Sequence, residues 1–155
     1  MRSAPLAALL AAAALAPAGA QQLTATEVSA GAIAALSAHD FWGAAAGLGR
    51  RVDNQARVAG VAAVGLLGNQ AGVRLETSAQ LIINPSGRGG AGLYAGAGVL
   101  WQGARGMGGS GYVTALVGLE SAPGARRGWY AEVGLGGGVR LALGRRWRRF
   151  PPWWR

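Results

Sequence analysis

Residues 129–143 read WYAEVGLGGGVRLAL, and the way this stretch alternates decides the fold. Its odd positions are Trp129, Ala131, Val133, Leu135, Gly137, Val139, Leu141 and Leu143; its even positions are Tyr130, Glu132, Gly134, Gly136, Gly138, Arg140 and Ala142. A period of two is the mark of a strand with two unlike faces. The same split recurs upstream. In GVRLETSAQLII, Arg74, Glu76, Ser78 and Gln80 oppose Val73, Leu75, Ala79 and Leu81, and in GYVTALVGLE, Tyr112, Thr114 and Glu120 oppose Val113, Val117 and Leu119. Residues 55–68 are apolar on both parities, which leaves their facing open.

Working outward, alternating segments are expected near Val28–Ser37, Phe41–Arg50, Arg57–Leu67, Gly72–Ile83, Ala91–Trp101, Gly111–Glu120 and Gly128–Leu143. Between them lie SAHD, VDNQ, GNQ, NPSGRGG, GARGMGGSG and SAPGARRG, each dense in residues that tolerate turn geometry. Seven strands are countable. An eighth is either Arg145–Phe150 or the second half of the last segment, folded back at Gly136-Gly137-Gly138. Glycine interrupts every alanine-rich stretch, so no helix is expected after residue 21.

The chain opens MRSAPLAALLAAAALAPAGAQQ: one basic residue, an apolar run and an Ala-Gly-Ala ending, the layout of a cleaved signal peptide over residues 1–20. Residues 21–150 then make one domain, and 151–155 an aromatic and basic tail. There is no cysteine, so the exported domain must hold together without disulfides. Charged residues are 14% of the chain, and glycine accounts for 28 of its 155 residues. That is too little charge to coat a soluble domain well, since roughly 25% is usual.

If the apolar face were a soluble core, the exterior would be the glycine-rich face, which is a poor interface with water. If the apolar face meets lipid, a narrow closed barrel holds the polar face inside, and closure satisfies every backbone hydrogen bond. Trp42, Trp101 and Trp129 favour the second arrangement: all lie on the apolar parity at segment ends, where interface aromatics belong. Arg74, Glu76, Glu120, Glu132 and Arg140 would then point inward. Opposite charges in a tight lumen persist only when paired, so these five are expected to form an ionic network that closes it.

The leader, the absence of cysteine, the alternating strands, the terminal aromatics and the Gly-rich turns resemble the small bacterial outer-membrane β-barrels of the eight-stranded class, similar to outer membrane proteins A, X and W. The resemblance implies an all-β, up-and-down antiparallel transmembrane barrel in the outer membrane. It implies a monomer inserted by the barrel-assembly machinery, in contact with outer-membrane lipid and lipopolysaccharide. In that family an aromatic residue often closes the last strand; Phe150 is the residue in that place here, followed by PPWWR.

Chemistry-bearing motifs are few. GMGGSG at 106–111 matches G-x-G-x-x-G but no helix follows it, which excludes a dinucleotide site. His39 is the single histidine, so no metal site of ordinary spacing can be drawn and no cofactor is expected. Ser37, His39 and Asp40 share a turn, with Ser110 or Glu120 as alternative partners; a lipid acyltransferase or deacylase built on His39 is the enzymatic alternative. The run RRWRRFPPWWR places Arg145, Arg146, Arg148 and Arg149 among tryptophans, a composition suited to lipid phosphate. Nucleic acid is not an expected partner of an exported chain. The reading is a non-enzymatic outer-membrane barrel with a narrow or plugged lumen, serving envelope integrity or slow passage of small solutes. A secreted soluble barrel or sandwich that holds a hydrophobic ligand inside is the remaining alternative.

Overall fold

The computed structural model describes residues 22–154; the signal peptide expected over residues 1–20 lies outside them. Every regular element among the described residues is a strand: β1 Ala25–Leu36, β2 Phe41–Arg51, β3 Ala56–Leu67, β4 Gln70–Ile82, β5 Ala91–Ala104, β6 Met107–Ser121, β7 Arg127–Leu135 and β8 Val139–Arg149. Each pairs antiparallel with its neighbour in sequence, and β8 closes on β1, giving an up-and-down barrel without a free edge. Strand lengths run from 9 residues in β7 to 15 in β6, enough to cross a bilayer at the usual tilt.

The long alternation of residues 129–143 is a hairpin. Gly136, Gly137 and Gly138 take φ of 153°, 64° and 130°, a run of positive values that only glycine adopts at little cost. The turn sets Leu135 opposite Val139 and Ala131 opposite Leu143, so odd residues face odd residues and one parity stays outside through both strands. The segment expected as one long strand is therefore two, and β8 runs on to Arg149. The stretch GARGMGGSG, expected as a loop, is mostly strand: only Arg105 and Gly106 turn.

The outer wall is apolar. Leu48, Val64, Val99, Val113, Leu135 and Leu143 are all more than half exposed. The interior holds Glu27, Glu76, Glu120 and Glu132, every glutamate of the chain, together with Arg51, Arg57, Arg74, Arg140, Arg146 and Arg148. Toward the short-turn end, Ile33, Phe41, Ala63 and Leu67 fill the remaining interior beside β1–β3. Contrary to the soluble ligand-binding alternative, the apolar face is outside and the inner one, among the described residues, is largely charged. Interior glycines make room for large neighbours. A side chain at Gly118 would run into the Tyr94 ring, and one at Gly144 into Tyr130. This is why one parity of the opening stretch can combine glycine with bulky polar residues.

Loops differ between the ends. The end away from the termini is closed by the turns 37–40, 68–69, 105–106 and 136–138. At the terminal end, the loops 83–90 and 122–126 bond to each other, Gly124 N–H to Gly87 O at 2.7 Å and Ala122 N–H to Gly90 O at 2.8 Å. The tail folds back over them: the Trp154 indole donates to Gly124 O at 2.9 Å, and the Arg88 guanidinium lies 4.6 Å from the Trp154 ring. Phe150 turns toward the lumen, 5.7 Å beneath Arg51, and joins this floor.

Candidate functional site

Alternation along each strand aims ten charged side chains at the barrel axis, where they form two tiers. In the tier nearer the termini, Glu27 accepts from Arg51 Nε at 2.6 Å and from Arg57 Nη1 at 3.0 Å. Glu120, fully buried, accepts from Arg51 at 3.1 Å, Arg57 at 2.9 Å, Arg148 at 3.0 Å and Arg146. In the other tier, Glu76 accepts from Arg74 Nε at 2.5 Å and Arg140 Nε at 2.9 Å. Arg140 also donates to Glu132 at 2.8 Å, and the Tyr94 hydroxyl donates to Glu132 at 2.5 Å. Arg146 joins the tiers: its Nη2 lies 3.5 Å from Glu132 Oε1, and its guanidinium sits between the rings of Tyr94 and Tyr130 at 5.3 and 4.8 Å.

Six guanidiniums face four carboxylates, and the surplus donors go to main-chain oxygens. Arg51 donates to Pro85 O, Arg74 to Gly136 O and Arg148 to Ala125 O, at 2.9–3.2 Å. Buried charges cost several kcal/mol each unless paired and hydrogen-bonded, and this arrangement does both for nearly all of them. A cavity of about 30 Å³ lies among Glu27, Arg57, Glu76, Glu132, Arg140 and Arg146. A space of that size admits a water molecule or two. At the short-turn end a vestibule of about 410 Å³ is lined by Ser37, His39, Gln102, Ser110 and Tyr112. Gln102 in its lining accepts from Arg74 Nη1 at 2.7 Å.

No protein-family model matches the chain, and no curated protein sequence does. Solved structures do. The N-terminal β-barrel domain of Pseudomonas aeruginosa OprF superposes with a TM-score of 0.64 at 16% identity, covering 83% of this chain and all of that domain. Neisserial surface protein A superposes with a TM-score of 0.56, also at 16% identity, covering 80% of this chain and 96% of its own. This chain has the fold of the small bacterial outer-membrane barrels.

Within that barrel fold the residues singled out from sequence fall as follows. Arg74, Glu76, Glu132 and Arg140 meet in one tier, while Glu120 anchors the other. Trp42 and Trp101 project outward near the short-turn end and Trp129 outward near the terminal end, 55%, 46% and 42% exposed. Trp147, not among the expected interface residues, also faces out, two strand positions from Arg145.

Two expectations are corrected. Arg146 and Arg148 were grouped with Arg145 and Arg149 as lipid-phosphate contacts, but β8 runs through all four, so alternate residues face opposite ways. Arg146 and Arg148 are 6% and 4% exposed and bound to Glu120 inside; Arg145 and Arg149 are outside. Ser37, His39 and Asp40 do not form a relay. The Ser37 hydroxyl donates to His39 O at 2.9 Å and accepts its N–H at 3.3 Å, and Asp40 Oδ1 accepts the Ser37 N–H at 2.8 Å. Their polar groups stabilise the turn, as Ser and Asp do in such positions. Ser110 lies in the same vestibule, but Glu120 is committed to arginines in the far tier.

Sequence reasoning missed Glu27, Arg51 and Arg57 as lumen residues. Glu27 precedes the expected start of the first strand, Arg51 follows the expected end of the second, and Arg57 sits in the segment whose facing was open. The signal available was parity alone: Glu27 is out of phase with Val28, and Arg57 with Val58.

Proposed function

We propose that this protein is a monomeric, non-enzymatic β-barrel of the bacterial outer membrane that serves the envelope as a closed structural element. It is exported by its leader and inserted by the barrel-assembly machinery, with its outer wall in outer-membrane lipid and lipopolysaccharide. The observation that carries this reading is the inversion of polarity: charges inside and paired, large aliphatics outside. Only a lipid surround makes such a wall favourable, because backbone groups are satisfied by closure and apolar side chains by acyl chains. Closure of the sheet leaves no edge for a second copy, in keeping with a monomer. The short turns supply little surface for a receptor, since specificity in this architecture resides in long loops.

The two tiers and the terminal floor argue for a sealed lumen. Reconstitution into planar bilayers is expected to give no steady conductance above the bare membrane. A large, long-lived open level in most insertions would overturn the sealed-lumen reading.

A further inference from the structure

Outside the lumen, the outer wall of β8, β1 and β2 carries a polar cradle at the terminal end with an apolar groove directly above it. Thr26 is paired laterally with Arg50 on one side and Arg149 on the other, and all three face outward. The two arginines stand two strand spacings apart, about 10 Å, a gap that their side chains close around one phosphate. Between them lies an open cleft of about 230 Å³ lined by Thr24, Thr26, Arg50, Arg149, Phe150 and Pro151. Neither arginine makes a salt bridge among the described residues. Asp53, the acid of the nearby turn, uses its Oδ1 on the N–H groups of Gln55 and Ala56.

Two residues further along each strand, roughly 7 Å away, Thr26 gives way to Val28 and Arg50 to Leu48. There a groove of about 510 Å³ begins, with Ala46, Gly60 and Ala62 as its floor and Val28, Leu48 and Leu75 beside it. Its lining is almost wholly apolar. Gly60 is open to the outside: a Cβ there would meet nothing closer than Glu76 O at 3.9 Å. An anion cradle contiguous with an apolar trough of small residues has the two-part chemistry of a phospholipid.

We propose that this is a binding site for one anionic glycerophospholipid, its phosphodiester held by Arg50, Arg149 and the Thr26 hydroxyl and an acyl chain seated along Leu48, Gly60 and Leu75. The proposal rests on the outer wall facing lipid. Two cations that form no salt bridge among the described residues select a net-negative headgroup over a zwitterionic one.

The test is native mass spectrometry of the full chain released from micelles holding equal phosphatidylglycerol, phosphatidylcholine and lipid A. One phosphatidylglycerol per barrel is expected to survive release. Affinity for the lipid falls roughly thirtyfold in the R50Q/R149Q double variant, at about 1 kcal/mol of headgroup attraction for each arginine. Gly60→Phe, which fills the trough without touching the cradle, is expected to displace the lipid as well. Equal retention of phosphatidylcholine with both variants unaffected would overturn the site, and retention of lipid A instead would overturn the lipid assigned to it. Gel mobility of boiled and unboiled samples separates the two levels. A micelle-dependent barrel that keeps no lipid fails the site alone, whereas a chain that folds without micelles fails the membrane reading and the site with it.

Discussion

Glu120→Gln is expected to lower the stability of the barrel by about 3–5 kcal/mol, the cost of breaking a buried ion pair by removing one partner. Glu120 is the common acceptor for Arg51, Arg57, Arg146 and Arg148, and it is fully buried. Glutamine keeps the shape and one carbonyl acceptor but loses the charge. Only Glu27 would then face these four guanidiniums within the tier, with Glu132 reached by Arg146 alone. The guanidiniums are fixed on three strands, β2, β3 and β8, and all four are buried. Urea unfolding in micelles, followed by the mobility of the folded band, measures the change. Arg105→Gln, at an exposed turn, is the reference and is expected to shift stability by no more than about 0.5 kcal/mol. An equal shift for the two variants would mean that the tier does not hold the barrel together.

Leu143→Arg is expected to destabilise the barrel by about 2–4 kcal/mol in a bilayer, the cost of an arginine near the midplane on the lipid face. Leu143 is 62% exposed near the middle of β8, between Ala131 and Ala32 on the adjoining strands, so no interior packing is disturbed. The sign of the effect is informative because the side chain is outside in either solvent. In water, replacing an exposed leucine by arginine changes stability little or improves solubility. In lipid it must cost energy, less so as the site nears the headgroups. Arg145, one outward position nearer the rim, already sits beside Trp129 on the adjoining strand, which sets the level at which a cation is tolerated. Unfolding in lipid vesicles compared with wild type reads the difference, and a neutral result there would place this face in water.

Much of this fold was legible because its determinants are local. Alternation in Arg74–Gln80 and in 129–143 gave the facing of those strands without knowledge of any partner strand. The glycine triplet 136–138 marked a turn, but alternation continues unbroken across it, since a hairpin closed by Leu135 and Val139 keeps parity. Periodicity alone therefore does not separate one long strand from two. The site was legible in kind rather than membership. Which strands bring Glu120 to Arg146, 26 residues away, depends on closure of the barrel, a property of the whole sheet. The basic tail misled for the opposite reason: composition averages over Arg145, Arg146, Arg148 and Arg149, whereas a strand sorts them alternately outward and inward. The relay suggested by Ser37, His39 and Asp40 dissolved because short polar side chains in a turn serve their own backbone first.

The most direct measurement is refolding of the chain with and without detergent micelles, with circular dichroism and the gel mobility of boiled and unboiled samples read side by side. A β-sheet spectrum and a heat-dependent mobility shift that appear only with micelles are the expected result, because the outer wall needs an apolar surround. A monodisperse β-protein that forms in plain buffer would contradict the account, since a barrel with its charges sealed inside and its aliphatics outside cannot be stable there.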